Sequence, residues 1–281
     1  MRTTRRNYCG RNLSEASVNC IVCNGKARLN YKLKDYHLIR CKNCFHEWIM
    51  ERDSVDVKNF YDGAYFKGEK ACFGASFKKW KPESSLIKNR ITFDISNILC
   101  GMELSRPSVL EIGPGPEQNL FRYASSFSSI ESFDISPLVN TFLEDQGAKV
   151  YKAWDEIPSE KYDAVVAYEV IEHAPDSLQL CLRILSKLKK GGVFILTTGN
   201  TRSFYSRLAG RKWFYYDPPA HLNYFSDKSM RILLNSAGFS RVKVLHLGST
   251  SKEVLSKTRL AFLLHPLLTL IASSMTVYAY K

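Results

Sequence analysis

The sequence predicts an α/β fold: a mainly parallel, doubly wound sheet, preceded by a small module of different character. Three observations predict it. From Ser108 onward, short apolar runs alternate with helix-period stretches. The first of those runs ends in a glycine turn, Gly113-x-Gly115, that opens into a helix-like stretch. Ahead of them, two Cys-x-x-Cys pairs lie close together near the N-terminus.

The cysteine module comes first, over residues 1–50. Cys20 and Cys23 are separated from Cys41 and Cys44 by seventeen residues. This spacing fits a tetrahedral Zn²⁺ site: each pair supplies two thiolates, and an intervening hairpin brings the pairs together. Four thiolates leave no open position, so the ion is structural and substitutes for a core that about forty residues cannot build. His46 is an alternative ligand. Cys9, Cys72, Cys100 and Cys181 lack such spacing and read as plain thiols. Residues 51–105 form an aromatic, Lys-rich connecting segment, with NFYDGAYF (Asn59 to Phe66) near its start.

The third unit spans 106–281. SVLEIG (108–113), SIESFDIS (129–136), KYDAVVAYEV (161–170) and GGVFILTTG (191–199) read as strands. PLVNTFLEDQG (137–147) reads as a helix stopped by Gly147. A second helix is DSLQLCLRILSKLKKGG (176–192), with Leu178, Leu182, Leu185 and Leu188 as its apolar face. RVKVLHL (241–247) and MTVYAYK (275–281) read as two late strands that pair antiparallel at the edge. Leu260 to Tyr280 holds no charge; its His, Pro, Ser and Thr content favours a buried helix followed by a strand over a membrane span, with an interfacial helix as the alternative.

Open parallel sheets bind ligands beyond the carboxyl ends of their strands. In VLEIGPGPEQNL (Val109 to Leu120), Gly113 allows a tight turn, Gly115 lets backbone approach a ligand, and Glu111 offers a carboxylate. Asp134 follows Gly115 by nineteen residues and ends the next strand, where an acid accepts both ribose hydroxyls of an adenosine. Glu117 stands where such loops usually carry a third glycine. Three readings of it stay open: it points outward from the first helical turn, it approaches a ligand amino group, or it closes the site.

VLEIGPGP, FDIS, KYDAVVAYEVIEH, LKKGGVFILTT and HLNYFSDKSMRILLNSAGF together resemble the class I S-adenosylmethionine-dependent methyltransferases, from about Ser108 to Lys281. The resemblance implies a Rossmann-like sheet with an antiparallel last strand. It implies that Glu111, Gly113 and Gly115 lie near the methionine part of S-adenosylmethionine and that Asp134 holds the ribose. It also implies that Trp154 and Asp155 lie near the adenine, and Tyr168 and Glu169 by the cofactor. With its zinc ribbon, the chain resembles bacterial enzymes that methylate sugars of surface polysaccharides and natural products. Many of those carry a further domain for C-methylation, for which the sequence ends too early, which counts against C-methylation; the leading expectation is transfer to a hydroxyl. His173 and His221 fall on the acceptor side and are the candidate proton acceptors; packing roles are the alternative for both. His246 and His265, in apolar stretches, read as core residues. RKWFYYDPPAH (Arg211 to His221) reads either as a lid that stacks on a ring or as a buried loop.

Composition sets the remaining expectations. The net charge is +13, with basic first and last thirds around an acidic middle. That favours an anionic partner: a small or carrier-linked acceptor such as a sugar on a diphosphate, a nucleic acid, or an anionic membrane surface touched peripherally. No apolar run follows the basic N-terminus, and eight Cys in a chain of this length are not a disulfide framework, so the expected compartment is the cytoplasm or the inner membrane face. Two other functions compete with methyl transfer to a small acceptor. RNA methylation would use Arg2, Arg5, Arg6 and Arg11 as a basic arm, but no Asn-Pro-Pro-Tyr-type motif or catalytic Cys motif accompanies them. A cofactor-dead, zinc-bearing interaction subunit is the reading that Glu117 motivates.

Overall fold

The computed structural model describes residues 18–61, 106–115, 120, 125–246 and 273–281. The expectations for most of 51–105, for Glu117, for 260–272, for His265 and for Cys9, Cys72 and Cys100 fall outside the described residues.

Residues 18–49 form four strands: β1 (Val18–Asn19), β2 (Lys26–Leu33), β3 (Tyr36–Cys41) and β4 (Glu47–Ile49). β2 and β3 are the hairpin between the two cysteine pairs, closed by a tight turn with Lys34 at φ 53°. After it come the one-turn helix α1 (Val57–Phe60), then β5 (Ser108–Ile112), β6 (Ser129–Phe133), α2 (Pro137–Asp145) and β7 (Lys149–Tyr151). The chain continues through β8 (Tyr162–Tyr168), α3 (Ser177–Lys187), β9 (Leu188–Gly199) and α4 (Phe204–Ala209). It ends with β10 (Asn223–Tyr224), α5 (Asp227–Ser236), β11 (Arg241–Leu245) and β12 (Ser274–Tyr280).

The main sheet has seven strands in the order β11-β12-β9-β8-β5-β6-β7. β5 to β9 run parallel. β12 alone is reversed, antiparallel to both β9 and β11. The two late strands therefore pair as expected, but β12 lies inside the sheet and β11 forms the edge. Burial explains the order: β12 is apolar on both faces, whereas β11 exposes Arg241 and Lys243. β7, three residues long and at the other edge, is too short to show a period and has no counterpart among the expected strands.

One face of the sheet packs Phe194 and Leu196 under Cys181 and Ile184 of α3 and Met230, Leu233 and Leu234 of α5. The opposite face buries Val109, Val166 and Ile195 against Leu120 and Phe127. The buried face of α3 is Ser177, Cys181, Ile184 and Lys187; of the expected leucine stripe, Leu178 and Leu185 pack against the core, Leu182 is 41% exposed, and Leu188 is buried but begins β9, since the helix ends at Lys187. Asp176 caps α3 by accepting from the Gln179 N–H.

The chain leaves β5 toward β6 on one side and returns through β8 on the other. The crevice between the tips of β5 and β8 is thus the switch point of the sheet. The N-terminal sheet docks beside it. Its order is β1-β2-β3-β4-β10, so a strand from the C-terminal part of the chain completes it. Asn223 pairs with Trp48 and Tyr224 with Glu47. The Ser226 hydroxyl donates to the Cys44 carbonyl at 2.6 Å, and Lys228 Nζ to the Asn43 carbonyl at 2.9 Å.

Candidate active site

The cysteine cluster fits the ion the spacing implies. The Cys20–Cys44 and Cys23–Cys41 sulfur pairs are each 3.5 Å apart, and all four lie within 4.8 Å of one another. A tetrahedron with ligands ~2.3 Å from its centre has edges of about 3.8 Å. The two knuckles are built alike: Asn24 follows Cys23 at φ 56°, and Phe45 follows Cys44 at φ 60°. Backbone N–H groups of Val22, Asn43 and Cys44 donate to the sulfurs, which favours thiolates. His46 is not among the clustered ligand groups. It is fully buried against Trp48 and Phe225, and burial pushes it down to about 3. Cys181 is buried in the α3 core, its thiol pushed up to about 12 by burial.

On the β5–β6 side, Gly113 adopts φ 62° and donates to the Phe133 carbonyl at 2.8 Å. A Cβ there would lie 2.8 Å from Val170 Cγ2. Gly115, at φ 60°, has open space where its Cβ would stand, and donates to Asp134 Oδ2 at 3.2 Å. Asp134 Oδ1 accepts from the Ser136 N–H at 2.9 Å, so the backbone of two turns aims this carboxylate. Glu111 is 2% exposed. Burial pushes it up to about 8; the Leu120 N–H opposes the rise and the Asp134 charge adds to it. Trp154 opens a short 3-10 helix after β7, where it packs on Phe133 and under Arg183. Asp155 beside it is exposed, at the same end of the sheet as the β5 and β6 tips.

Across the crevice, Tyr168 ends β8, and Glu169 follows at φ 52°, its N–H on the Thr197 carbonyl. Glu169 Oε2 accepts from the Tyr215 hydroxyl at 2.8 Å. A 3-10 turn, Ile171–His173, then brings Glu172 and His173 into the fold. Glu172 is 1% exposed, and burial, then the Glu169 charge, push its carboxyl well above the usual range. Neither of its oxygens has a hydrogen-bond partner within 3.5 Å among the described residues, although the Glu169 and Thr198 side chains approach it. His173 Nδ1 lies 2.7 Å from the Ala220 carbonyl and 2.6 Å from the Tyr61 hydroxyl. His221 Nδ1 lies 2.7 Å from the Tyr215 carbonyl, and the two rings are 4.8 Å apart. A carbonyl only accepts, so Nδ1 of both rings carries the proton and Nε2 keeps its lone pair. Burial, then repulsion from His221, pushes His173 down to about 3; burial lowers His221 as well.

The sequence-expected residues thus fall into two groups. Glu111, Gly113, Gly115 and Asp134 meet on one side of the crevice, and Tyr168, Glu169, His173 and His221 on the other. Trp154 and Asp155 stand apart, one strand further out. Two further residues, Glu172 and Tyr61, join the second group without having been named individually from sequence. Glu172 lies inside the EVIEH stretch, and an acid buried beside a histidine at a strand tip was a readable signal. Tyr61 lies in the NFYDGAYF stretch, but no local pattern linked it to His173, 112 positions along the chain. The Arg211–His221 stretch is mostly the buried alternative: Trp213 and Tyr215 sit in a core with Leu38 and Ile49, and Trp213 Nε1 donates to the Ser273 hydroxyl. His246 is a correction, because it is 40% exposed and pairs with Asp227 at 2.6 Å instead of entering the core.

A seven-stranded sheet with one reversed inner strand, a glycine turn after its first parallel strand and an acid at the tip of the next defines a class I S-adenosylmethionine-dependent methyltransferase. A family model described as a methyltransferase domain matches residues 89–244, just over half of the chain, and the chain belongs to that family. No curated relative matches its sequence. Among solved structures, it resembles an S-adenosylmethionine-dependent methyltransferase from Archaeoglobus fulgidus at 20% identity and TM-score 0.51, over 70% of this chain and 93% of that one. It also resembles magnesium protoporphyrin IX methyltransferase from Synechocystis PCC 6803 with bound S-adenosylmethionine, at 12% identity and TM-score 0.51, over 81% and 98%. A third is phosphoethanolamine N-methyltransferase 2 of Haemonchus contortus in complex with S-adenosyl-L-methionine, at 16% identity and TM-score 0.52, over 84% and 62%. At these identities the likeness concerns the fold.

Proposed function

We propose that the chain methylates a hydroxyl of a small or carrier-linked, sugar-type acceptor, and that the four cysteines hold a structural zinc ion. The observation that carries the acceptor reading is the Glu172–His173–His221 cluster, which faces the Gly115–Asp134 turn across the switch point. Asp134 accepts from the ribose hydroxyls, Gly113 and Gly115 let backbone approach the methionine part, and Glu111 faces its positive charge. Trp154 and Asp155 border the adenine, while Tyr168 and Glu169 border the cofactor at the tip of β8. When bound, S-adenosylmethionine supplies an electrophilic methyl on a sulfonium and is left as the neutral thioether. The chain's own task is to hold the acceptor oxygen in line with that methyl and to remove the hydroxyl proton. His173 and His221, kept neutral by burial, supply lone pairs for this. The exposed cations Arg202, Arg207, Arg211 and Lys212, around exposed Phe204 and Phe214, suit an anionic carrier on the acceptor.

Calorimetric titration of S-adenosylmethionine into the zinc-loaded protein tests the cofactor half. Binding is expected, and Asp134→Ala is expected to abolish it. Glu111 adds a signature. It is protonated at neutral pH in the free protein, so a cationic ligand beside it releases protons, and the binding heat must vary with buffer ionisation enthalpy. A folded wild type that binds nothing would mean Glu117 has closed the loop, leaving the interaction-subunit reading. Salt-sensitive RNA binding together with methyl transfer to RNA would replace the small-acceptor reading.

A further inference from the structure

The geometry points to a second metal site, distinct from the cysteines: we propose that Glu172, His173 and His221 bind a divalent transition-metal ion that receives the acceptor hydroxyl. This deepens the acceptor reading above and rests on it for the ion's role, but not for its binding. One ligand atom from each residue lies within 4.8 Å of the other two. Ligands ~2.1 Å from a common ion stand about 3.0–3.4 Å apart in octahedral or tetrahedral geometry, so side-chain movements of about an ångström close the set.

Three features set this cluster apart from buried packing. The Glu172 carboxyl is 1% exposed, and neither of its oxygens has a hydrogen-bond partner within 3.5 Å among the described residues; the Glu169 and Thr198 side chains only approach it, an arrangement that costs stability unless a cation or donor meets it. Both imidazoles turn Nδ1 to a main-chain carbonyl, His173 to Ala220 and His221 to Tyr215, each at 2.7 Å. A carbonyl on the far nitrogen is the arrangement that orients a metal-ligating histidine, leaving Nε2 to bind the ion. Glu169 is a further carboxylate at the tip of β8, three residues before Glu172, with Oε2 accepting from the Tyr215 hydroxyl at 2.8 Å. Mixed imidazole and carboxylate donors suit mid-series ions such as Mn²⁺, and three protein ligands leave positions open for an acceptor oxygen. A hydroxyl on the ion loses its proton to water more readily than a free one, and the alkoxide stays bound. With the ion bound, the histidine lone pairs that the metal-free reading above gives to the hydroxyl proton hold the ion instead, and the proton leaves to water.

The test titrates Mn²⁺ into the zinc-loaded full chain, reading free Mn²⁺ by electron paramagnetic resonance. One bound Mn²⁺ per chain is expected in the wild type and in Asp134→Asn. Glu172→Gln and His221→Asn should weaken it by on the order of tenfold or more. Bound Mn²⁺ should also protect His221 of the wild type from carbethoxylation, located by mass spectrometry, which needs no variant to fold. A folded wild type that leaves the Mn²⁺ signal and the His221 modification unchanged overturns the proposal, as do folded variants that bind like the wild type. Neither readout uses methyl transfer, so an acceptor screen that fails leaves this site standing.

Discussion

Gly113 and Gly115 both have φ near +60°, yet they are not equivalent residues. A methyl group at Gly113 meets Val170 at 2.8 Å, whereas at Gly115 it enters open space. Gly113→Ala therefore adds a steric clash to backbone strain, and Gly115→Ala adds strain alone, about 1 kcal/mol. Urea unfolding should show Gly113→Ala as the less stable variant by about 1–3 kcal/mol. Equal losses would mean that Val170 yields freely. The first glycine's need was legible in VLEIGPGP, because a tight turn between strand and helix demands φ > 0. Its partner Val170 was not legible, since it lies 57 positions away and only the β5–β8 pairing brings it near. The same holds within the site. Asp134 and His173 are marked by motif spacing, but the orientation of His173 comes from Tyr61 and Ala220, which no local pattern connects to it.

At the level of elements, periodicity revealed the long, doubly buried strands and failed for the short ones. The centres of β8 and β9, residues 164–168 and 193–196, are continuous apolar runs and were legible; β7 and β10, of three and two residues, carry too few side chains to show any alternation. What fixes β7 is instead a polar knot at the end of the sheet away from the site. Glu131 of β6 accepts from Tyr151 at 2.7 Å and Lys149 at 3.0 Å, both of β7, and from Lys161 and Tyr162 at the start of β8. Burial alone would raise this carboxyl, but Lys161, Tyr162, Tyr151 and Lys149 outweigh it and hold it down at about 2. A carboxylate depressed on folding stabilises above its ordinary value of 4.5, and that stability is lost as pH falls toward 2. Glu131→Gln should thus cost about 3 kcal/mol at pH 7, with the gap to wild type shrinking between pH 4.5 and 2. Denaturant midpoints of the two proteins across that range check it; a gap that does not change with pH would show that the knot acts through packing.

Across the whole molecule, the hydrogen bonds of the described residues wire the cysteine module to one half of the site and not to the other. β4 ends at Ile49, whose N–H donates to the Leu222 carbonyl at 3.1 Å, and the Leu222 N–H donates to the Glu172 carbonyl at 2.9 Å. β10, next in the chain after His221 and Leu222, is a strand of the N-terminal sheet, and its Asn223 side chain donates to the Ala174 carbonyl. Glu172, His173 and His221 are therefore braced by a module whose four clustered cysteines are proposed above to hold a structural zinc ion, on which its fold would depend. Asp134 and Gly115 are held instead by β5 and β6 backbone. Removing the zinc should consequently separate the two functions. Cys44→Ser, which removes one ligand and loosens the seat of Ser226 on residue 44, is expected to leave S-adenosylmethionine affinity within about twofold while methyl transfer falls by on the order of tenfold or more. Calorimetry for the cofactor and initial rates for the acceptor, on the same preparation, read the two halves separately. If both fall together while the main sheet keeps its circular dichroism, the coupling runs through the whole domain; if neither changes, the β4–β10 pairing is not what holds His221 in place.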